Sequence, residues 1–224
     1  MTMTNSLTIS CSYDLICPWC WIAKVNLERA LIRLKEYRPE LRIKIEWHGV
    51  QLIPEVPEQG WSFAEFYERR LGNKQAVALR QRQVNQAAAQ AGLEINFDKI
   101  TVFPNTAMAH AVLNYAQRFR SAETFEKLLD RLYLGYFILG ENLGDPQTIF
   151  KLAHDVGIAR AVLESWLANP ESVQTKHSPR VSGVPNYVFG GTFAVSGVQS
   201  PEKYLSIMST ILQTRIKDVC VEQT

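Results

Sequence analysis

An α/β fold built from a βαβ half and a ββα half, with a helical insertion between them, is predicted by three observations in this 224-residue chain. An apolar, strand-like run from Leu7 to Leu15 gives way to an amphipathic helical pattern from about Trp19 to Tyr37, and a second apolar run follows from Leu41 to Trp47. From about Gly60 to His177 the periodicity is helical, with no convincing strand. The chain then returns to β character, where Tyr187-Val188-Phe189 and Phe193-Ala194-Val195 flank Gly190-Gly191-Thr192 as a hairpin. The expected division is residues 1–59 for the first half, 60–177 for the helical insertion and 178–224 for the second half.

Each element carries its own local reason. In the first helix Ile22, Val25, Ala30, Leu31 and Leu34 recur at roughly helical spacing, and Pro39 closely follows its end. Two apolar strands joined by such a helix form a right-handed crossover with parallel strands. In the insertion, Ser62 caps a short helix through Leu71, and Lys74 to Ala91 stops at Gly92. Asn105 caps a helix running to about Arg118, and Glu123 to Phe137 carries Phe125, Leu128, Leu129, Leu132, Tyr133 and Tyr136 on one broad face. Asp145-Pro146 and Asn169-Pro170 each pair a capping residue with proline at the first helical position. Ser200 and Pro201 open the last helix, which presents Tyr204, Ile207, Met208, Ile211 and Leu212 on one face.

Composition excludes several functions. Hydrophobic residues make up 46% of the chain, and 24 basic residues oppose 22 acidic ones, a net charge of +2. That balance gives no electrostatic case for nucleic-acid or membrane-surface binding. No basic segment with an apolar core opens the chain, and no apolar stretch is long enough to span a bilayer, so a cytoplasmic setting is expected.

Cys17-Pro18-Trp19-Cys20 falls where the first strand meets its helix. Unpaired N–H groups and the positive end of the helix dipole stabilise a thiolate there, which points to Cys17 as nucleophile. A metal half-site is the competing reading. Zinc needs four ligands, yet Cys11 and Cys220 form no second pair, and His48, His110, His154 and His177 show no ligand spacing, so no metal is expected. In a compartment that keeps thiols reduced, a lone CxxC reads as catalytic. Trp19, between the cysteines at a helix start, is expected to be partly exposed and to contact substrate, with Pro18 beside it. Gly183-Val184-Pro185 precedes the hairpin, and proline opening a strand has positional meaning because it cannot donate to the ladder. Its functional reading is a cis-proline turn whose Val184 backbone pairs with an extended substrate.

Cys17-Pro18-Trp19-Cys20 before a long helix, Phe103-Pro104-Asn105-Thr106 leading into Ala109-His110, and Ser182-Gly183-Val184-Pro185 before a Tyr-Val-Phe strand form a set with Gly190, Phe193 and Gly197-Val198-Gln199. Together they resemble the DsbA-like thioredoxin family, and within it the cytoplasmic FrnE-like group of dithiol-disulfide oxidoreductases or isomerases. The resemblance spans about Leu7 to Gln213. It implies a thioredoxin fold with a helical insertion, Cys17 as attacking thiol, Cys20 as resolving thiol and Pro185 as the cis-proline. It also implies no bound cofactor, and as partners the thiols or disulfides of proteins or small molecules, glutathione among them.

Two alternatives remain at this level: a glutathione-using enzyme of the kappa-class transferase or 2-hydroxychromene-2-carboxylate isomerase type, and a non-enzymatic binding module or chaperone. The first typically carries serine where this chain has Cys17. Thioredoxin relatives often place a buried acid further upstream of the first cysteine, where this chain has Ser10, Cys11 and Ser12, leaving Asp14 and Glu46 as the nearest candidates. Asp14 reads as a cap of the active-site loop, Glu46 as a solvent-facing strand residue and His110 as a satisfied interior histidine. Phe63, Phe66 and Tyr67 read as core, Cys11 as a buried inert thiol and Cys220 as incidental.

Overall fold

The computed structural model describes residues 6–169 and 183–221, except for the side chains of 215–221. Strand β1 (Ser6–Tyr13), helix α1 (Pro18–Tyr37) and strand β2 (Arg42–Gly49) come first. There follow β3 (Trp61–Ser62), α2 (Phe63–Leu71), α3 (Lys74–Gln90), β4 (Val102–Phe103), α4 (Ala107–Phe119), α5 (Ala122–Leu134), α6 (Pro146–Asp155) and α7 (Arg160–Leu167). The chain ends on β5 (Asn186–Phe189), β6 (Phe193–Ser196) and α8 (Pro201–Val221).

The chain folds as two compact units, one holding β1, Trp19–His48 and the segment with β5, β6 and α8. Its sheet runs in the order β2-β1-β5-β6, so the two ends of the sequence meet as hydrogen-bonded neighbours. Leu7, Ile9, Cys11 and Tyr13 alternate inward along β1 and are buried, as a strand period of two requires. Cys11 stands opposite Tyr187 and Ile9 opposite Phe189 in an antiparallel ladder. The β5–β6 turn has positive φ at Gly190 (61°) and Gly191 (80°), the hairpin geometry glycine favours. Tyr204 of α8 packs against Tyr187 at 5.5 Å and Phe189 at 5.9 Å. Between α1 and the start of α8, Asn26 donates to the Gln199 carbonyl at 2.9 Å and Arg33 pairs with Glu202 at 2.7 Å.

The other unit holds Asp14–Pro18 and the chain from Gly49 through α7. Ser62 accepts from the Glu65 N–H at 3.4 Å, and Asp145 accepts from Gln147 and Thr148 N–H groups ahead of Pro146, as the sequence predicts. Three local features differ from expectation. Trp61 and Ser62 pair with Phe103 and Val102 in a two-stranded ladder, too short to leave a periodic signal. Thr106 occupies the N-cap position of α4, and Asn105, expected there, accepts the Ala107 N–H at 2.9 Å from one residue earlier. The α5 helix passes into a π turn over Gly135–Leu139, closed by left-handed Gly140. The expected Asn169-Pro170 cap involves Pro170, outside the described residues, as does the side chain of Cys220.

Candidate active site

Cys17 directly precedes Pro18, the first residue of α1, and Cys20 lies in the helix's first turn. Proline suits that start because its missing N–H is one that a helix leaves unpaired anyway. No disulfide joins Cys17, 7% exposed, to Cys20, 1% exposed. Pro18 and Trp19 between them are half-buried, in line with the partial exposure expected of Trp19. The Val184–Pro185 bond is cis; Val184 is half-buried, Pro185 is buried, and β5 begins at the next residue.

The loop carrying Cys17 is held by Asp14. The Asp14 carbonyl accepts the Cys17 N–H at 3.3 Å and the Tyr133 hydroxyl at 3.3 Å. Its side chain is fully buried, accepts from the Leu15 N–H at 2.7 Å, Leu52 N–H at 2.8 Å and Thr106 Oγ1 at 3.1 Å, and shares a hydrogen bond of 3.0 Å with His110 Nε2. Thr106 and His110, each 1% exposed, come from the start of α4, and Leu52 from the loop after β2. Gly49 stands so close to His110 that a Cβ there would fall 2.4 Å from Nδ1.

Tyr67 lies within electrostatic range of this loop. Its ring sits 4.7 Å from Phe63, 5.1 Å from Phe66 and 5.9 Å from Phe103. Tyr67 is half-buried. Burial first, then the negative charges of Cys17 and Asp14 against an opposing Arg70, push the Tyr67 phenol up to about 12. Tyr136, wholly enclosed, is pushed up by burial and then by Tyr67 and Asp14. Glu46 is elsewhere: it pairs with Lys44 at 2.7 Å, which holds its carboxyl below the usual value, and receives the Ser10 hydroxyl at 3.5 Å. Cys11 is fully buried.

Asp14 caps the loop as expected and does more, because Thr106, His110 and Leu52 gather on the same carboxylate. Nothing in the sequence marks Thr106, Leu52, Gly49 or Tyr67 as neighbours of this loop. Only the three-residue spacing of Asp14 and Cys17 is a visible signal.

The DSBA-like thioredoxin domain family matches residues 8–209, and the chain belongs to that family. The uncharacterized protein YwbO of Bacillus subtilis is 25% identical over 187 residues, covering 80% of this chain and 84% of YwbO. A probable DsbA oxidoreductase from Streptomyces coelicolor shares the fold at a TM-score of 0.79 and 22% identity, over 91% of this chain and 89% of its own. The cytosolic disulfide reductase DsbM from Pseudomonas aeruginosa, solved with glutathione, is similar at a TM-score of 0.62 and 14% identity, over 92% and 99%. The fold is the DsbA-like thioredoxin fold.

Proposed function

We propose that the chain is a thiol-disulfide oxidoreductase or isomerase that works through a mixed disulfide on Cys17. The observation that carries this reading is the placement of Cys17 just ahead of α1, with Cys20 in its first turn and less exposed. In the reductive direction the Cys17 thiolate attacks a substrate disulfide along the S–S axis, forming the mixed disulfide and expelling one substrate thiolate, which takes up a proton. Cys20, deprotonated, then attacks Cys17 sulfur, closing the protein disulfide and releasing the second substrate thiolate. Two electrons pass from the two cysteines to the substrate. The helix start favours thiolate character at the outer sulfur.

Pro18 and Trp19 flank the sulfurs as substrate contacts, and the Val184 backbone ahead of β5 is the strand partner offered to an extended substrate. Glutathione belongs among the small-molecule partners, a reading supported by the DsbM structure solved with it. A cytosolic setting, in keeping with that neighbour's name, favours reduction or isomerisation over net oxidation.

Insulin reduction tests the proposal. Turnover should be lost in Cys17→Ser and fall steeply in Cys20→Ser. Retained turnover in the double variant would overturn it, and chromene isomerisation surviving Cys17→Ser would favour the glutathione-enzyme alternative.

A further inference from the structure

We propose that Phe66 and Tyr67 form an aromatic substrate platform beside Cys17, and that Arg70 and Arg80 at its edge select small disulfides that carry carboxylates. This rests on the reading of Cys17 as the sulfur that exchanges with substrate, and it names the substrate class of that site.

All of these residues belong to the compact unit that holds Cys17. Phe103, 1% exposed, is the floor of the platform: Phe66 stacks on it at 3.9 Å between ring centroids, and Trp61 stacks on Phe66 at 5.7 Å. Tyr67 meets Phe66 and Phe103 edge-on, at 5.1 and 5.9 Å. Phe63 is buried, the core residue that the sequence predicts, whereas Trp61, Phe66 and Tyr67 are half-buried and keep part of their surface accessible. Phe103 also locates the platform. Three residues further on, Thr106 donates to Asp14, whose carbonyl holds the Cys17 N–H. The Tyr67 phenol, pushed up by burial first, responds next to Cys17.

Charge gives the platform its preference. Against Glu65 and Glu68, helices α2 and α3 set Arg69, Arg70, Lys74, Arg80 and Arg82, so the helix pair is positive in a chain that is otherwise nearly balanced. Arg70 and Arg80 are exposed, and among the described residues neither pairs with a carboxylate, whereas Arg33, Arg131 and Arg160 each do. The Arg70 guanidinium stands 5.9 Å from the centre of the Phe66 ring, and both arginines lie within electrostatic range of the Tyr67 phenol. A guanidinium fork matches a carboxylate, and these two forks are open to one from a ligand. A disulfide laid across Phe66 and Tyr67 with its sulfur at Cys17 brings its carboxylates to Arg70 and Arg80. Glutathione disulfide belongs to this class.

Two chromogenic disulfides separate charge from reactivity: dithiobis-nitrobenzoate, with two carboxylates, and dithiodipyridine, neutral at neutral pH. In the reduced protein the Cys17 thiolate attacks the probe and expels one aromatic thiolate; Cys20, deprotonated, attacks Cys17 sulfur and expels the second. One probe disulfide is reduced, one protein disulfide forms and the cysteine protons pass to solvent. The rate that counts is the part lost in Cys17→Ser. Arg70→Gln combined with Arg80→Gln should lower the ratio of anionic to neutral rate by about three- to tenfold. Added salt should lower the same ratio in the wild-type protein. Arg118→Gln, which removes an exposed cation from over Phe119 of α4, should leave the ratio at the wild-type value. A change in Cys17 itself alters both rates together, so the ratio reports recognition. Tyr67→Leu should slow both aromatic probes by about two- to tenfold relative to hydroxyethyl disulfide, followed by the mass of quenched samples.

An unchanged ratio in the double arginine variant, an equal fall in Arg118→Gln, or no effect of Tyr67→Leu overturns the proposal. If Tyr67→Leu does not fold, the arginine variants decide alone. Probe rates that survive Cys17→Ser would instead refute the reading of Cys17. The platform would then be judged by methylthiobenzoate, which has the ring, sulfur and carboxylate but no disulfide, with binding read by ligand-observed NMR. Weaker binding to the double arginine variant than to wild type and Arg118→Gln supports the platform; equal binding, or none to any of them, overturns it.

Discussion

Gly49 shows at a single residue how closely the Cys17 loop is specified. Any side chain there meets His110, which cannot retreat without leaving Asp14. Gly49→Ala should therefore cost about 1–3 kcal/mol through overpacking and a weakened buried hydrogen bond. Thermal or urea unfolding beside wild type measures it; an unchanged midpoint would mean that His110 moves freely. The cysteines are also unequal. With Cys17 at 7% exposure and Cys20 at 1%, iodoacetamide should label Cys17 well before Cys20 in the native reduced protein, as read by peptide mass mapping. Equal labelling would contradict their assignment as outer and inner thiols. At this scale the sequence is a partial guide. Cys17, Cys20 and Pro185 stand out because their chemistry is tied to short motifs, and Asp14 reads correctly as a loop cap. The partners Thr106 and Leu52 arrive from distant segments, and no spacing rule connects residues 92 or 38 positions apart.

Helix signals were the most legible elements because capping chemistry is local. Ser62, Asp145-Pro146 and Ser200 all sit where their sequence places them, each accepting an N–H from the first turn. Asp145→Ala should cost about 0.5–2 kcal/mol at neutral pH, since it removes acceptors for the Gln147 and Thr148 N–H groups. The Thr148 hydroxyl bond, with the backbone bonds adding to it, holds this carboxyl below its ordinary value of 3.8. The stabilising difference is therefore present above that value and lost as pH falls through the depressed folded one. Urea unfolding at neutral pH and in acid should show the gap between wild type and variant closing; a gap constant with pH would contradict the cap. The π turn after α5 left no such signal. Gly140 ends it at φ 72°, where a Cβ would lie 2.2 Å from the Lys99 carbonyl oxygen. Gly140→Ala should destabilise by at least about 2 kcal/mol, combining left-handed strain with a backbone clash. Denaturant unfolding reads that loss, and a loss under half that size would mean the turn can relax.

Across the whole molecule, the order of strands and helices was readable because hydrophobic period changes from two to about 3.6 and back along the chain. The meeting of β1 with β5, and the order β2-β1-β5-β6, follow from how thioredoxin-like halves join. What periodicity could not convey is that Asp14–Pro18, lying between β1 and the body of α1, belongs to the unit that also holds α2 through α7. Short loops carry no period, and this one is bound by hydrogen bonds to distant residues. The central claim, that Cys17 is the sulfur that exchanges with substrate, is tested most directly by mass mapping of Cys20→Ser after exposure to oxidised glutathione. The account predicts one glutathione held on Cys17 and retained until a reducing thiol is added. Glutathione found on Cys11 with Cys17 unmodified, or no adduct at any cysteine of a folded protein, would contradict it.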